Sequence, residues 1–337
     1  MLTLKDIAKE AGVSVMTVSN VINGKKSKVS KETIERVQKI IKTMNYTPNL
    51  NARSLAKKES RLIAVFVSTY ISSENVFKDP YLSELFGVIE GLIRTSGYFA
   101  IIQTVEDLQT AFNLLQNWQT DGAIFITPQS SENMSFLTQN CNCPIVFIDS
   151  SNSESNDFMT IEINDFKGGY IATKYLIENG HKKIAFAGFL DENDSVMKER
   201  FNGYKQAMQD FQLEKYITHI QTSTRYEDGL SIAQEITKKK HDVTAVFSSA
   251  DLFALGLIEG LTRNGWKVPK DLSVVGFDNL SLCEFVNPKL TTVSQNIPRK
   301  GTAAVEQLLK LIHKEEIAER KIICDVELEV RETVRKI

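Results

Sequence analysis

Three charged residues stand beside apolar stretches of the sequence, in positions that suit the binding of a polar ligand. Asp149 ends the stretch IVFID, Asp278 ends VVGFD, and Arg200 is the second residue of ERFNGY, which follows a predicted strand and loop. A guanidinium presents a rigid fork of donors, and a carboxylate can accept hydrogen bonds from two hydroxyls. The set therefore suits a polyol or another small polar molecule. The alternative is that these residues pair with each other or cap helices.

Catalytic chemistry finds little support in the sequence. No GxGxxG follows the first predicted strand, and neither GxxxxGK[ST] nor GxSxG occurs. The cysteines at positions 141, 143, 283 and 324 form no CxxC pair, and the four histidines are scattered, so neither a zinc site nor a disulfide framework is indicated. We therefore expect no enzyme activity, no metal and no cofactor.

Charge is distributed unevenly along the 337 residues, which is a length typical of two or three domains. Residues 1–59 contain 12 lysines and arginines against 5 aspartates and glutamates, a net charge of +7; since the whole chain carries −2, the remainder carries −9. A basic head on an acidic body suits a head that meets phosphate groups, although a solvated charged face would give the same count.

No targeting or membrane segment is predicted. The N-terminus reads MLTLKDIAKE, with charges where a signal peptide needs an apolar run, and the longest apolar stretch, Leu62–Val67, is far short of a membrane span. The sequence therefore predicts a cytoplasmic protein with no membrane partner.

Residues 1–47 predict three short helices in a helix-turn-helix arrangement. Thr3, Ser14 and Ser30 are candidate N-caps, and Gly12 provides a left-handed position at the end of the first helix. Helical spacing then places a set of apolar residues on the inner faces: Ile7, Ala8, Ala11, Val18, Val21, Ile22, Ile34, Val37, Ile40 and Ile41.

The second of these helices has an outer face without charge. This face carries Val15, Met16, Ser19, Asn20 and Asn23. Short uncharged groups near a helix N-terminus can enter a DNA major groove and meet base edges. A plain three-helix bundle with a solvated face is the alternative, but such a face usually holds lysine or glutamate.

Residues 48–60 predict a short helix within a linker. Pro48 stops the third helix, Asn49 can cap a new one, and Ala52 and Leu55 share one face beside Arg53. A helix of this length is marginal in water and needs a partner or DNA in order to form. An ordinary linker is the alternative.

From residue 61 onward, short β-branched stretches alternate with amphipathic helices. Continuous apolar strands between helices indicate parallel sheets covered on both faces, and two successive series indicate two Rossmann-like lobes with a ligand between them, at the carboxyl ends of the strands. The predicted strands are Leu62–Val67, Phe99–Gln103, Gly122–Ile126, Ile145–Ile148, Lys183–Ala187, Ile217–Gln221, Ala245–Ser248 and Ser273–Gly276.

The head resembles that of the lactose-repressor/galactose-repressor (LacI/GalR) family in the stretches LKDIAKEAGVSVMTVSNVING, VSKETIERV and NYTPNLNARSL. The resemblance implies that the second helix reads bases, that the short helix after Pro48 is a hinge, and that Leu55 wedges into a central minor-groove step. It also implies a homodimer on a roughly palindromic site in double-stranded DNA. The candidate DNA contacts are Thr3, Ser14, Val15, Met16, Thr17, Ser19, Asn20, Asn23, Ser30, Thr33, Asn49, Ala52, Arg53 and Leu55.

The body resembles the same family in DPYLSELFGVIEGL, NGHKKIAFAG, ERFNGYKQAM, VGFDN and PKLTTVSQN, and through it the periplasmic sugar-binding fold. In that fold the chain crosses between the lobes three times, which implies a first lobe of residues 61–161 and 290–322 and a second of 162–289 and 323–337. The resemblance implies effector contacts at Arg200 and Asp278. The candidate effector contacts are Tyr70, Asp149, Arg200, Thr224 and Asp278.

Three departures from the family pattern bear on specificity. Asn20 stands where arginine is most common, and asparagine suits adenine where arginine suits guanine. Ala250 stands where sugar-binding relatives often have asparagine, and Thr224 where many have an aromatic that stacks on the ligand. Tyr70 or Phe77 could supply that stack.

Together these features predict an all-α helix-turn-helix head on an α/β, periplasmic-binding-protein-like core of two Rossmann-like lobes. The predicted function is a sequence-specific transcriptional repressor whose operator affinity is modulated by a small polar effector, a sugar or sugar phosphate, bound between the lobes. The alternatives are a small-molecule binding protein without a DNA role and, after that, an enzyme.

Overall fold

The computed structural model divides into two compact units, Met1–Ser60 and Arg61–Ile337. No helix in the described part of the chain is both long and apolar enough to cross a membrane. The structure describes residues 2–22, 24, 28–46, 59–68, 76–126, 130–150, 157–190, 195–239 and 242–337.

The described part of the N-terminal unit forms α1 (Leu4–Ala11), α2 (Val15–Ile22) and α3 (Lys31–Thr43). The Thr3 hydroxyl caps α1 by accepting a hydrogen bond from the backbone amide of Asp6. In return, the Asp6 carboxylate accepts a hydrogen bond from the backbone amide of Thr3 at 2.8 Å. This reciprocal pair satisfies two amides that would otherwise lack partners at the start of the helix. The predicted cap at Thr3 is therefore confirmed.

The predicted helix signals at Gly12, Ser14 and Ser30 are also confirmed. Gly12 ends α1 with φ 63°, a left-handed conformation that glycine adopts without strain. The Ser14 hydroxyl accepts a hydrogen bond from the backbone amide of Thr17 at 3.1 Å, and the Ser30 hydroxyl accepts one from the backbone amide of Thr33 at 3.3 Å. The start of each described helix is thus fixed by a side chain that the sequence places there.

A small apolar core holds these helices together. Six of the ten predicted core residues are buried, whereas the four isoleucines at positions 22, 34, 40 and 41 are only partly buried against them. Tyr46 is also buried in this core, which helical spacing could not predict because it lies beyond the end of α3. The fully buried members include Ile7, Val18 and Val37.

The first lobe of the C-terminal unit contains a parallel six-stranded sheet. Its strands are β1 (Leu62–Ser68), β2 (Phe99–Val105), β3 (Gly122–Ile126), β4 (Ile145–Ile148), β5 (Met159–Ile163) and β11 (Lys321–Cys324), and their spatial order is β11–β5–β4–β3–β1–β2. Helices α4 (Pro80–Thr95) and α11 (Ile297–His313) cover one face, and α5 (Leu108–Trp118) and α6 (Ser131–Asn140) cover the other.

The second lobe repeats this design. Its sheet has the order β12–β10–β9–β8–β6–β7 and is parallel except for the pair β10–β12. The strands are β6 (Ile184–Gly188), β7 (Thr218–Gln221), β8 (Ala245–Ser248), β9 (Ser273–Asp278), β10 (Thr291–Ser294) and β12 (Glu327–Glu329). The helices are α7 (Asp165–Glu178), α8 (Ser195–Asp210), α9 (Tyr226–Lys239) and α10 (Asp251–Arg263).

The chain passes between the lobes three times: between β5 and α7, between β10 and α11, and between β11 and β12. The predicted lobe boundary at residue 290 is wrong, because Thr291 pairs with Val275 and β10 therefore belongs to the second lobe. The boundaries at residues 161 and 322 are each two residues early, because β5 and β11 extend to Ile163 and Cys324.

Candidate functional sites

The first candidate site is the outer face of α2. At its N-terminus the side chains of Val15 and Met16 are 40% and 69% exposed, although both are apolar. Ser19 and Asn20 follow on the helix and are half-buried, and Asn23 lies outside the described residues. An exposed, uncharged helix start held by the Ser14 cap is an arrangement suited to entering a DNA groove.

The remaining predicted DNA contacts of the head are either residues that cap helices or residues that lie outside the described part of the chain. The hydroxyls of Thr3, Ser14, Thr17, Ser30 and Thr33 all take part in the caps at the starts of the three helices. These residues therefore stabilise the helices whatever else they contact. The predicted contacts Asn49, Ala52, Arg53 and Leu55, like Tyr70 of the core, lie outside the described residues.

The second candidate site lies where the two lobes of the core meet, and its centre is Arg200 on α8. The Arg200 Nε donates to the carboxylate of Asp165 at 2.8 Å, and Nη1 donates to the backbone oxygen of Ser249 at 2.7 Å. The guanidinium carbon lies 3.7 Å from the ring centroid of Phe277, a cation–π contact. Nη1 is also 4.0 Å from the Asp278 carboxylate.

Asp278 ends β9 at the carboxyl edge of the second sheet, as the sequence predicted. Its backbone has φ 129°, a conformation that is strained in any residue with a side chain. Strained residues of this kind are often found at ligand sites. Its carboxylate accepts a hydrogen bond from the side-chain amide of Gln295 and faces the amide of Asp251 at 3.4 Å. Asp278 and Arg200 therefore lie close together, an arrangement that fits a shared ligand and also fits the stated alternative that they pair with each other.

Asp149 reaches the same region from the first lobe. It follows β4 in a left-handed conformation with φ 58°, and its carboxylate accepts from Lys300 Nζ at 2.8 Å and from the Tyr81 hydroxyl at 2.8 Å. Lys300 lies on α11, which brings the cation from 151 residues farther along the chain. Asp149 thus forms an ion pair with the fully buried Lys300, whereas the alternative stated from the sequence was that the three charged residues pair with each other or cap helices.

Burial shifts the protonation equilibria of this cluster. It raises the pKa of Asp165 to about 6 against the opposing influence of the Arg200 charge. Burial, followed by the neighbouring charge of Asp251, raises the pKa of Asp278 well above its ordinary value. Although burial disfavours the Arg200 cation, the carboxylates of Asp165 and Asp278 raise its pKa. Asp165, Arg200 and Asp278 of the second lobe are thus a dehydrated group of charges, and the charges of Asp149 and Lys300 in the first lobe also act on Asp165.

The other described residues that the sequence suggested for effector binding are not among the direct contacts of Arg200, Asp278 or Asp149. Thr224 is half-buried in the turn between β7 and α9, at the carboxyl edge of the second sheet. Phe77 is 55% exposed, with its ring centroid 5.4 Å from that of Phe86. Ala250 precedes α10 without supplying a side-chain cap. Among the described residues, no group of three or more His, Cys, Asp or Glu is placed to hold a metal ion.

Sequence reasoning missed four members of the cluster: Tyr81, Asp165, Gln295 and Lys300. A signal for Lys300 was present, since Ile297, Lys300, Ala304 and Leu308 follow helical spacing and all four are buried. A lysine on the apolar face of a helix requires a buried acceptor. The other three carry no such signal, because their roles depend on long-range contacts.

Comparison with known proteins assigns this architecture to a class. Residues 3–49 match the family of bacterial regulatory proteins called lacI, and residues 173–334 match a periplasmic binding protein-like domain. The HTH-type transcriptional repressor PurR of Histophilus somni (strain 129Pt) is 35% identical over 99% of both chains. PurR of Vibrio campbellii (strain ATCC BAA-1116) is 36% identical over 100% of both chains.

Solved structures of similar proteins have the same fold and agree with these sequence matches. A lac repressor dimer bound to operator and the anti-inducer ONPF superposes with a TM-score of 0.87 at 26% identity, over 99% of both chains. A LacI family regulator from Enterococcus faecium with bound ribose gives 0.72 at 26% identity, over 82% of this chain and 99% of that one. The protein is a DNA-binding transcription regulator with an effector-binding core. It belongs to the lacI family.

Proposed function

We propose that the protein is a repressor that binds a roughly palindromic operator as a homodimer, and that a small polar effector between its lobes modulates operator affinity. The observation that carries the effector part is the buried cluster of Arg200, Asp165 and Asp278 at the junction of the lobes. The relatives named repressors and the dimeric lac repressor on its operator support the rest. Because the family consists of bacterial regulatory proteins that act on DNA, we expect the protein to work in the cytoplasm, and we expect no catalytic turnover.

Base reading is assigned to α2. Val15 and Met16 expose apolar groups that suit thymine methyls, and Asn20 carries an amide that suits adenine. The capping residues at the starts of the helices present amides and hydroxyls to phosphates. The hinge residues Asn49, Ala52, Arg53 and Leu55, together with Asn23, complete the interface by resemblance to the family.

We assign the effector to Arg200 and Asp278, and Asp149, Tyr70 and Thr224 remain further candidate contacts. Arg200 has more N–H groups than its two close contacts use, and Asp278 is an acceptor for hydroxyls. Sugars fit this chemistry, and ribose and cellobiose occupy two structures similar to this chain. A sugar phosphate also fits, with its anionic group at Arg200.

The DNA part is tested by selecting binding sites for the full-length protein from a random duplex library at physiological salt. We expect an enriched site with two inverted half-sites. Equal affinity for the selected and the random duplex would leave a small-molecule binding protein without a DNA role, which is the alternative function.

The effector part is tested by thermal-shift measurements with ribose, cellobiose and a panel of sugar phosphates. Operator affinity is then measured with and without each ligand that stabilises the protein, for the wild type, Arg200→Ala and Asp278→Ala. We expect both variants to lose the effector response while keeping most of their operator affinity. A full response in both would remove Arg200 and Asp278 from the site, and turnover of the ligand would indicate an enzyme.

A further inference from the structure

Lys300 is a buried cation that the effector site as proposed does not use. The side chain is 0% exposed, on the face of α11 that packs into the first lobe. Its ammonium donates to Asp149 at 2.8 Å, to the Tyr81 hydroxyl at 3.0 Å and to the side-chain oxygen of Gln295 at 2.6 Å. All three donors of the ammonium therefore have protein acceptors.

Stability alone is a poor reason for a lysine at this position. Ile297, Ala304 and Leu308 on the same face pack as ordinary apolar residues. Taking an ammonium and a carboxylate out of water is costly, and apolar residues of similar volume often serve stability as well or better. The pair of Lys300 and Asp149 therefore calls for an explanation beyond the packing of the first lobe.

Gln295 extends the contacts of Lys300 into the second lobe. This residue is buried between β10 and α11, on one of the three connections between the lobes. Its side-chain oxygen accepts from Lys300 and its side-chain nitrogen donates to Asp278. Because an ammonium only donates, the side-chain oxygen of Gln295 must face Lys300, which leaves the side-chain nitrogen to donate to Asp278.

We infer that Lys300 is a positioning residue that couples Asp278 in the second lobe to Asp149 and Tyr81 in the first. This inference rests on the proposed function, since it takes Asp278 as the group that meets the effector. A ligand that forms hydrogen bonds with Asp278 competes with the hydrogen bond from the Gln295 side-chain nitrogen to that carboxylate. When the Gln295 amide moves in response, its hydrogen bond with the Lys300 ammonium changes as well. Lys300 then shifts relative to Asp149, so the first lobe responds to a contact made in the second.

The decisive experiment needs neither operator nor effector. Hydrogen–deuterium exchange is measured on the full chain carrying both Lys300→Met and Asp149→Asn, a pair of changes that leaves no unpaired buried charge between these two sites. We expect amides of residues 278–283 in the second lobe to exchange about threefold faster or more, because the link that restrains them is cut. Lys310→Met, on the same helix, is the matched control and leaves their exchange unchanged.

A second variant separates coupling from local packing. Gln295→Met cuts the same link and keeps the ion pair of Lys300 with Asp149, so it gives the same test if the double variant does not fold. We expect the same increase at residues 278–283. Changes confined to the first lobe in either folded variant would overturn the inference and leave Lys300 as a structural residue.

Reciprocity supplies the final check, because a true coupling acts in both directions. Asp278→Ala, in the second lobe, is expected to change exchange at residues 81–86 and 145–149 of the first lobe. The same change introduced into the Gln295→Met background is expected to leave those amides unaffected. Persistence of the effect in that background would show that the coupling bypasses Lys300 and would refute the inference. The DNA selection described above fails or succeeds independently of these results.

Discussion

Arg200 illustrates how a single residue can serve both the fold and the proposed site. Its positive charge is balanced by Asp165, one nitrogen is fixed on the Ser249 carbonyl, and its plane lies on Phe277. A buried arginine without such partners would be costly, so the protein contacts explain its stability and fix its orientation. An effector that meets this guanidinium finds it already oriented, which reduces the entropy lost on binding.

Asn20 gives a prediction about operator sequence. An arginine pairs with guanine through two acceptors in the major groove, whereas asparagine pairs with adenine. We expect Asn20→Arg to change the preferred base at one position of each half-site from adenine to guanine, with a discrimination of about 1–3 kcal/mol. Site selection on both proteins, read by sequencing, measures the change. An unchanged half-site would show that Asn20 does not contact a base.

His181 gives a prediction about pH. Its Nε2 donates to the carbonyl of Arg335 at 3.1 Å, and its Nδ1 lies 2.9 Å from the Thr244 hydroxyl, so the ring ties the C-terminal segment to the second lobe. Burial lowers the pKa of His181 below its ordinary value of 6.5. The folded chain therefore holds the ring neutral, while the unfolded chain takes up a proton as the pH falls below 6.5.

The stability that this neutral ring contributes is present above pH 6.5 and decreases as the pH falls through the folded-state pKa. We expect His181→Gln, which keeps a donor and an acceptor, to reduce the pH dependence of the free energy of unfolding by up to about 1.4 kcal/mol per pH unit in this window. Urea unfolding at a series of pH values from 5 to 7.5 measures it. His313→Gln, at an exposed histidine, is the control, and equal slopes in all three proteins would contradict the assignment.

Among the elements, the proposed hinge gives the sharpest test on DNA. Leu55 is expected to insert between bases at the centre of the operator, where the cost of unstacking is offset by the contacts that bent DNA allows. We expect Leu55→Ala to weaken operator binding by about tenfold or more and to leave thermal unfolding of the core unchanged. Fluorescence anisotropy with the selected operator measures the affinity. Unchanged affinity would make Leu55 an ordinary packing residue.

The burial of each strand explains whether the sequence could predict it. Strands β3, β4 and β8 have the predicted bounds because they are continuous apolar stretches covered on both faces. Strand β10 was missed because it begins with two buried threonines, whose hydroxyls are satisfied by tertiary contacts. Thr292, for example, donates to Asp251 at 2.5 Å. Residue type alone does not reveal such a partner.

The same reasoning separates the predicted from the missed parts of the proposed effector site. Asp149 and Asp278 could be predicted because a carboxylate directly after an apolar strand must lie at the carboxyl edge of its sheet. The cation that pairs with Asp149 comes from α11, so the ion pair depends on the fold of the whole lobe. Asp165 follows β5, which the strand pattern did not reveal, so its pairing with Arg200 could not be anticipated.

At the scale of the whole molecule, the separation of charge between the head and the rest of the chain matters most. Residues 1–59 carry a net charge of +7 while the whole chain carries −2. The overall charge is negative and does not attract the protein to DNA, so the local field of the basic head must direct binding. Binding that depends on a basic head releases counterions from the DNA, so the affinity falls as salt concentration rises.

We expect operator affinity to fall by about a hundredfold or more between 50 and 200 mM salt, as is typical of several phosphate contacts per complex. Lys31 is exposed in the first turn of α3, between the candidate phosphate contacts Ser30 and Thr33. Replacing Lys31 by glutamine should reduce the slope of log affinity against log salt by about one per half-site, because one phosphate contact is lost. Lys336→Gln makes the same change of charge at an exposed position of the core and should leave the slope as it is. Equal loss of slope in both variants would mean that net charge, and not the placement of charge in the head, governs binding.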